Sequence, residues 1–280
     1  MYRILANESV QAFVNTRQGG NRSHVVVAVG EDDPGLMRHC CAKSRDLGCE
    51  VTLVLRAPGD DAMAVFFFAA GQEISFCGHG TLAALDWMAR YDGLMGSRTL
   101  RCRTASVDGF AEADGLCGYY EEEGQFAALP TTAVLLDQVR SALGWGCEAT
   151  DDFTLAIGGQ SRLKLLVQVR DAGLLERVEI NPDLRDHLCD QLQVTGFYLY
   201  SLEDAQAVLA RHFPKAYGEA EDIATGDIAP TIARRHCSHW QGDRVGIFQG
   251  GSRCNQSHLI LHTEDRGWWV SGHVLPASND

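Results

Sequence analysis

Glu73 to Leu85 reads EISFCGHGTLAAL. Gly78 and Gly80 flank His79, Cys77 stands just before them, and small apolar residues follow. This is the pattern of a strand end turning into a helix. A helix start leaves backbone N–H groups unpaired and carries the positive end of the helix dipole, so it can hold an anion. Glycines let a ligand approach that backbone closely. The apolar run behind marks the helix as central and buried. A second stretch, EDIATGDIAP from Glu221 to Pro230, has the same form, with Asp222, Thr225, Gly226 and Asp227 ahead of another apolar helix. Taken singly, each stretch is also an ordinary tight turn. As a pair, facing each other across a crevice, they suit a small substrate that bears a carboxylate.

Working outward, strand-like and helix-like segments alternate. HVVVAVG (24–30), VTLVLRA (51–57), AMAVFFFAA (62–70), RLKLLVQV (162–169), TGFYLYS (195–201) and SHLILHT (257–263) are rich in β-branched or aromatic residues and read as strands. Helices are predicted over 34–47, 81–91, 132–143, 182–192, 204–213 and 230–240, with Pro34, Pro182 and Pro230 placed as first-turn prolines. The halves resemble each other. Gly19-Gly20-Asn21 matches Gly158-Gly159-Gln160 at an offset of 139, and Gly78 matches Gly226 at an offset of 148. A period this long is not that of a solenoid and reads as a duplicated domain with a pseudo-twofold axis. The break is expected near GQFAALPTT (124–132), which gives domains 1–126 and 127–280, with the last strand a candidate to return to the first domain. The acidic run Glu121 to Glu123 is read as a solvated strand end.

The net charge of −13 argues against nucleic acid and anionic membrane as main partners. The longest apolar run, nine residues, is far short of a membrane helix, which needs about 20. No signal-peptide core is seen in the opening residues, so a cytoplasmic location is expected. The ten cysteines contain no CxxC pair and are expected to be reduced, mostly buried thiols. His236, Cys237 and His239 lack an acidic or cysteine partner at ligand spacing, so no metal is assigned to them. Glu50 opens an otherwise apolar strand. Such a carboxylate is either exposed at a strand end or held in a pocket, where loss of water lets it exchange protons near neutral pH.

These motifs together resemble the phenazine-biosynthesis PhzF-like family, of the diaminopimelate-epimerase-like fold. VQAFVNTRQGGN looks like its opening strand and Gly-Asn turn, LGCEVTLV like its SETxFV segment, EISFCGHGTLAA like its ELPFCGHATLAA, and EDIATGDIA like its EDPATGSA segment. FQGGSRCNQSHLIL resembles the C-terminal segment of the family, and the spacing of 29 from Glu50 to His79 agrees with it. The resemblance covers nearly the whole chain. It implies an α+β fold of two pseudo-symmetric domains, each a barrel-like sheet around a central helix, with the active site in the cleft between them. It implies a cofactor-independent isomerase or epimerase, commonly a homodimer, acting on a small carboxylic-acid or amino-acid-like substrate. Glu50 matches the proton-shuttling acid, and His79 and Asp222 match residues that orient the substrate. Asn21, Cys77, Gly78, Gly80, Thr225, Gly226 and Asp227 fall with the substrate-binding residues.

The chain also departs from the family. Asp227 stands where serine is usual, and a second carboxylate at an anion-holding helix start should repel a substrate carboxylate, unless it caps its own helix. Ile223 follows Asp222 where proline is usual, and Arg253-Cys254 replaces a displaced Gly-Arg. Cys77 to Thr81, CGHGT, is identical to the segment of proline racemases and hydroxyproline epimerases that supplies one of their two catalytic thiols. Their second cysteine has no counterpart in IATGD (223–227), which excludes a symmetric two-thiol epimerase. Two other readings stand beside the isomerase: a catalytically silent small-molecule-binding homologue, and a Cys77-dependent dehydratase.

Overall fold

The computed structural model describes residues 2–16, 18–57, 63–103, 105–122, 124–146, 153–160, 162–203, 206–215, 220–240, 243–251, 256–264 and 267–277. Arg253 and Cys254 lie outside them. In chain order the elements are β1 (Arg3–Val14), β2 (Asn21–Val29), α1 (Pro34–Leu47), β3 (Glu50–Arg56), β4 (Met63–Ala69), β5 (Gln72–Ile74), α2 (Gly78–Asp92), β6 (Gly96–Cys102), β7 (Ser106–Ala111) and β8 (Leu116–Glu121). They continue with β9 (Gln125–Ala128), α3 (Ala133–Ala142), β10 (Phe153–Gly159), β11 (Lys164–Val169), α4 (Gly173–Glu176), α5 (Pro182–Leu192), β12 (Gly196–Leu202) and β13 (Ala207–Pro214). The last are α6 (Ala229–His236), β14 (Arg244–Gln249), β15 (Ser257–Glu264) and β16 (Gly267–Pro276). The chain forms two compact units, Met1–Glu121 with Trp269–Asp280, and Glu122–Trp268.

In the first unit the strands follow the order β1-β2-β3-β4-β6-β7-β8-β16, and β16 pairs back onto β1. Eight strands therefore close into a barrel. The helix inside it is α2, whose residues from Gly80 to Ala89 are all buried. A helix buried on every side needs an apolar sequence all round, which Thr81-Leu-Ala-Ala-Leu supplies. Its one acid in that run, Asp86, is 3% exposed and accepts from Arg90 Nε at 2.7 Å, as a buried charge requires. Outside the barrel, α1 covers Val26, Ala28, Val51, Leu53, Leu55, Phe66 and Phe68. Side chains alternate across a strand, so the opposite set, including Glu50, Thr52, Val65 and Phe67, faces α2. This explains AMAVFFFAA: a strand covered on both faces has no polar side to alternate with.

The second unit repeats the plan. Its strands run β15-β14-β13-β12-β11-β10-β9. From β1 to β7 the neighbouring pairs are antiparallel, parallel, antiparallel, parallel and antiparallel. From β10 to β15 the same sequence recurs. Each parallel pair needs a crossover, and α1, α2, α5 and α6 supply the four. Helices α3 and α5 cover Leu165, Val167, Val169, Phe197, Leu199 and Phe213 on the outer face. Lys164, Tyr198, Tyr200 and His212 consequently face inward, the side of α6. The fold is thus α+β, two duplicated lobes of barrel-like sheet around a central helix.

Two sequence expectations are corrected. The segment 204–213, read as a helix, is strand β13 over its described part, antiparallel to β12. Its helix-forming residues Ala, Leu and Arg are overruled by a period-two pattern, in which Val208, Ala210 and His212 are buried while Leu209 and Arg211 are only partly covered. Glu121, read as solvated, is 8% exposed. It ends β8 on the same inward face as Cys117 and Tyr119, both 0% exposed.

Candidate active site

Cys77 is the N-cap of α2, in extended backbone, and its Sγ accepts the Gly80 N–H at 3.4 Å. The Thr81 hydroxyl donates to the Cys77 carbonyl at 2.9 Å. The helix therefore begins at Gly78, three residues before its predicted start, because the cap and both glycines belong to its first turn. Both glycines are sterically required. A Cβ on Gly78 would strike the Tyr119 ring, with Cζ at 2.9 Å, and one on Gly80 would strike the Thr52 hydroxyl and come within 3.1 Å of Phe67. Backbone is thereby pressed against the barrel wall, and His79 is aimed by its two neighbours.

Glu50, the first residue of β3, faces the same end of α2. His79 Nε2 lies 3.2 Å from Glu50 Oε2, with the two side chains 12% and 22% exposed. Cys77 Sγ is 3.4 Å from His79 Nε2 and 3.6 Å from Nδ1, beside the ring. Burial alone would push the His79 imidazole down. The Cys77 thiol and the Glu50 carboxylate together outweigh it and hold the imidazole well above the usual histidine range. An imidazole biased toward its protonated form, beside a partly buried carboxylate, pairs a proton donor with a proton acceptor. Asn21, half-buried at the start of β2, lies two residues before Ser23, which pairs with Glu50 across the parallel β2/β3 register.

In the second unit Asp222 bridges to β13: its N–H donates to the His212 carbonyl at 3.0 Å. Its Oδ2 accepts from the Thr225 hydroxyl at 2.8 Å, and its Oδ1 accepts from the Ala224 N–H at 3.2 Å. Gly226 to Ile228 form one 3-10 turn, and α6 follows, with Pro230 in its first turn. Asp227 does not cap this helix. Its oxygens accept from Lys164 Nζ at 2.9 and 3.0 Å, and Lys164 is 3% exposed along its side chain. Arg162 adds a second cation, with Nε 3.7 Å from Asp227 Oδ2. The feared repulsion is thus countered from within the unit: a carboxylate neutralised by a buried ammonium leaves the helix start able to receive an anion. Sequence reading did not single out Lys164, Tyr119, Thr52, His212 or Gln249; Thr52 and Gln249 stand inside the quoted family segments, but each of the five matters through a partner distant in the chain. His236 also has an interior role, since its Nε2 lies 3.0 Å from the Tyr200 hydroxyl.

A model of phenazine biosynthesis-like proteins, the PhzC-PhzF family, matches residues 10–267. The chain belongs to this family. An uncharacterized isomerase of Deinococcus radiodurans is 26% identical over 271 residues, covering 92% of this chain and 86% of that protein. The crystal structure of a PhzF-family phenazine biosynthesis protein of Bacillus anthracis matches with a TM-score of 0.78 at 16% identity, over 99% of this chain and 98% of that one. A predicted epimerase of Pseudomonas aeruginosa matches with a TM-score of 0.73 at 22% identity, over 97% of this chain and 96% of that one. By family the chain is a PhzF-like isomerase. Among the described residues no helix is long and apolar enough to cross a membrane.

Proposed function

We propose that this PhzF-like isomerase works by proton transfer without a cofactor, with Glu50 as the acid/base and a small carboxylic-acid or amino-acid-like molecule as substrate. The observation that carries this reading is the 3.2 Å contact of Glu50 with His79 at the glycine-flanked start of α2. The substrate carboxylate is held by backbone N–H groups at that start, where the helix dipole favours negative charge. Glu50 takes a proton from the carbon beside an electron-withdrawing group. The electron pair left behind spreads into that group, and the protonated His79 beside the site stabilises the developing negative charge. Glu50 then returns the proton, to another carbon in an isomerisation or to the same carbon. Asp222, Thr225 and the Gly226-Asp227 turn serve the same reaction by binding and orienting the substrate. The active species on this reading is a cytoplasmic homodimer.

A silent binding homologue would follow from Asp227 repelling a substrate carboxylate, and the Lys164 pair counters that repulsion. For Cys77, the Gly80 N–H bond gives a capping role that needs no chemistry at sulfur. The test is solvent exchange. Purified protein is mixed with a panel of amino acids and dienyl carboxylic acids in deuterated water, and carbon-bound deuterium is read by mass spectrometry. A turned-over substrate should gain deuterium, and Glu50→Gln should slow the gain by about 10²-fold or more. Exchange at the wild-type rate in Glu50→Gln would discredit the assigned base.

A further inference from the structure

Among the described residues of 122–268, His212 and His236 are buried histidines with no part in the proton transfer above. His212 faces inward from β13, with its side chain 6% exposed. Its Nδ1 lies 2.8 Å from Thr225 Oγ1 and 3.3 Å from Asp222 Oδ2. The neighbours determine where its hydrogen sits. Gln249 Oε1 accepts from the Thr225 N–H and from the Tyr198 hydroxyl, both at 3.2 Å, so its amide is oriented without ambiguity. Gln249 Nε2 then donates to Thr225 Oγ1 at 2.8 Å and to the Asp222 carbonyl. The Thr225 hydroxyl spends its only hydrogen on Asp222 Oδ2. With that hydrogen on Asp222, Thr225 Oγ1 accepts from His212, and the nearby Asp222 Oδ2, which can only accept, likewise favours a hydrogen on Nδ1.

The other ring nitrogen follows. His212 Nε2 is buried with no hydrogen-bond partner among the described residues. It faces Gly196, where an added Cβ would come within 3.1 Å of it. A second hydrogen on Nε2 would be a buried donor without an acceptor, which the site disfavours.

We propose that His212 is a positioning residue, a neutral imidazole locked with its hydrogen on Nδ1, which holds the Thr225 hydroxyl and Asp222 carboxylate in place without adding charge. The role given to Asp222 rests on the proposed function above; the state of the imidazole does not. The charged and titratable groups facing His212 are Asp222, Asp227, Lys164 and Tyr198. Burial pushes its titration down, Asp222 pushes it up, Lys164 down and Asp227 up, and the net direction is down. Acid would therefore place a cation beside Asp222 and disturb the carboxylate that the neutral ring orients.

The experiment is nitrogen NMR of the full chain with ¹⁵N-labelled histidine at pH 7, the His212 signals being identified by their loss in His212→Asn. The expected spectrum is a neutral ring protonated at Nδ1. An imidazolium, or a ring protonated at Nε2, would overturn the proposal. Should no substrate exchange solvent deuterium, the proposed function fails while this readout still decides the state of His212. With an exchanging substrate, His212→Asn, whose amide can donate in place of Nδ1, should keep kcat within a few-fold. His212→Phe should lower kcat by about 10–100-fold, the cost of a misplaced group. An unchanged kcat in His212→Phe would also overturn it.

Discussion

His24 and His79 belong to one unit and titrate in opposite directions. His24 Nδ1 lies 2.8 Å from the Ser9 hydroxyl, its Nε2 contacts Asn7 Oδ1, and burial with help from Lys43 and Arg22 lowers its pKa to about 4. Between pH 6.5 and about 4 the unfolded chain binds a proton that the folded chain refuses, so stability falls as pH falls through that window. The gap corresponds to about 3 kcal/mol at 1.36 kcal/mol per pH unit. His79 has the opposite sign: its folded pKa is raised, so its stabilisation is complete below the unfolded value and is lost as pH climbs through the folded one. Urea unfolding across pH should show both. His24→Gln should flatten the acid side relative to wild type, and His79→Gln the alkaline side; a swap of these effects would refute the assignments. At this scale the sequence exposed His79 and Glu50 as candidates, since both stand in motifs. It could not bring them within 3.2 Å, because contact across 29 residues depends on how β3 and α2 pack.

Elements differ in how local their causes are. Helices α1 and α5 were read to their exact ends because caps lie next to what they cap: Asp33 accepts the Gly35 N–H, Asn181 accepts the Leu184 N–H, and Gly48 closes α1 in left-handed backbone. Strand β13 was misread because its residues favour a helix in isolation, and pairing with β12 overrules that preference. The start of α6 shows a third case, in which an element's charge balance rests on another element. Asp227 looked hostile to an anion until Lys164, 63 residues earlier on β11, proved to pair with it. Lys164→Met should therefore leave Asp227 half-stranded and cost about 3 kcal/mol. Replacing both members, Lys164→Met with Asp227→Ser, should recover most of that loss, since an apolar and a neutral side chain bury without an orphaned charge. Thermal unfolding measures it; a double variant no more stable than the single one would show that the pair is not the cause.

At the scale of the whole molecule, duplication was legible in the paired glycine turns, and the strand pairing repeats accordingly. Barrel closure was not. Strand β16 reaches β1 through Val10↔Pro276, Gln11↔Leu275 and Ala12↔Val274, contacts between opposite ends of the chain. Removing residues 269–280 should open the first unit. Hydrogen exchange is then expected to rise in β1 and α2 while β11 and β12 stay protected. Equal loss of protection in both units would show that they fold only together. By itself the sequence determined the caps, the buried runs, the glycine-flanked helix starts and the twofold repeat, because each is set by neighbours within a few residues or by self-similarity. Only the tertiary structure decided which face Glu121 and His212 take, which cation answers Asp227, and how the barrel closes. Those outcomes depend on side chains and strands that meet after folding, and no local rule records the meeting.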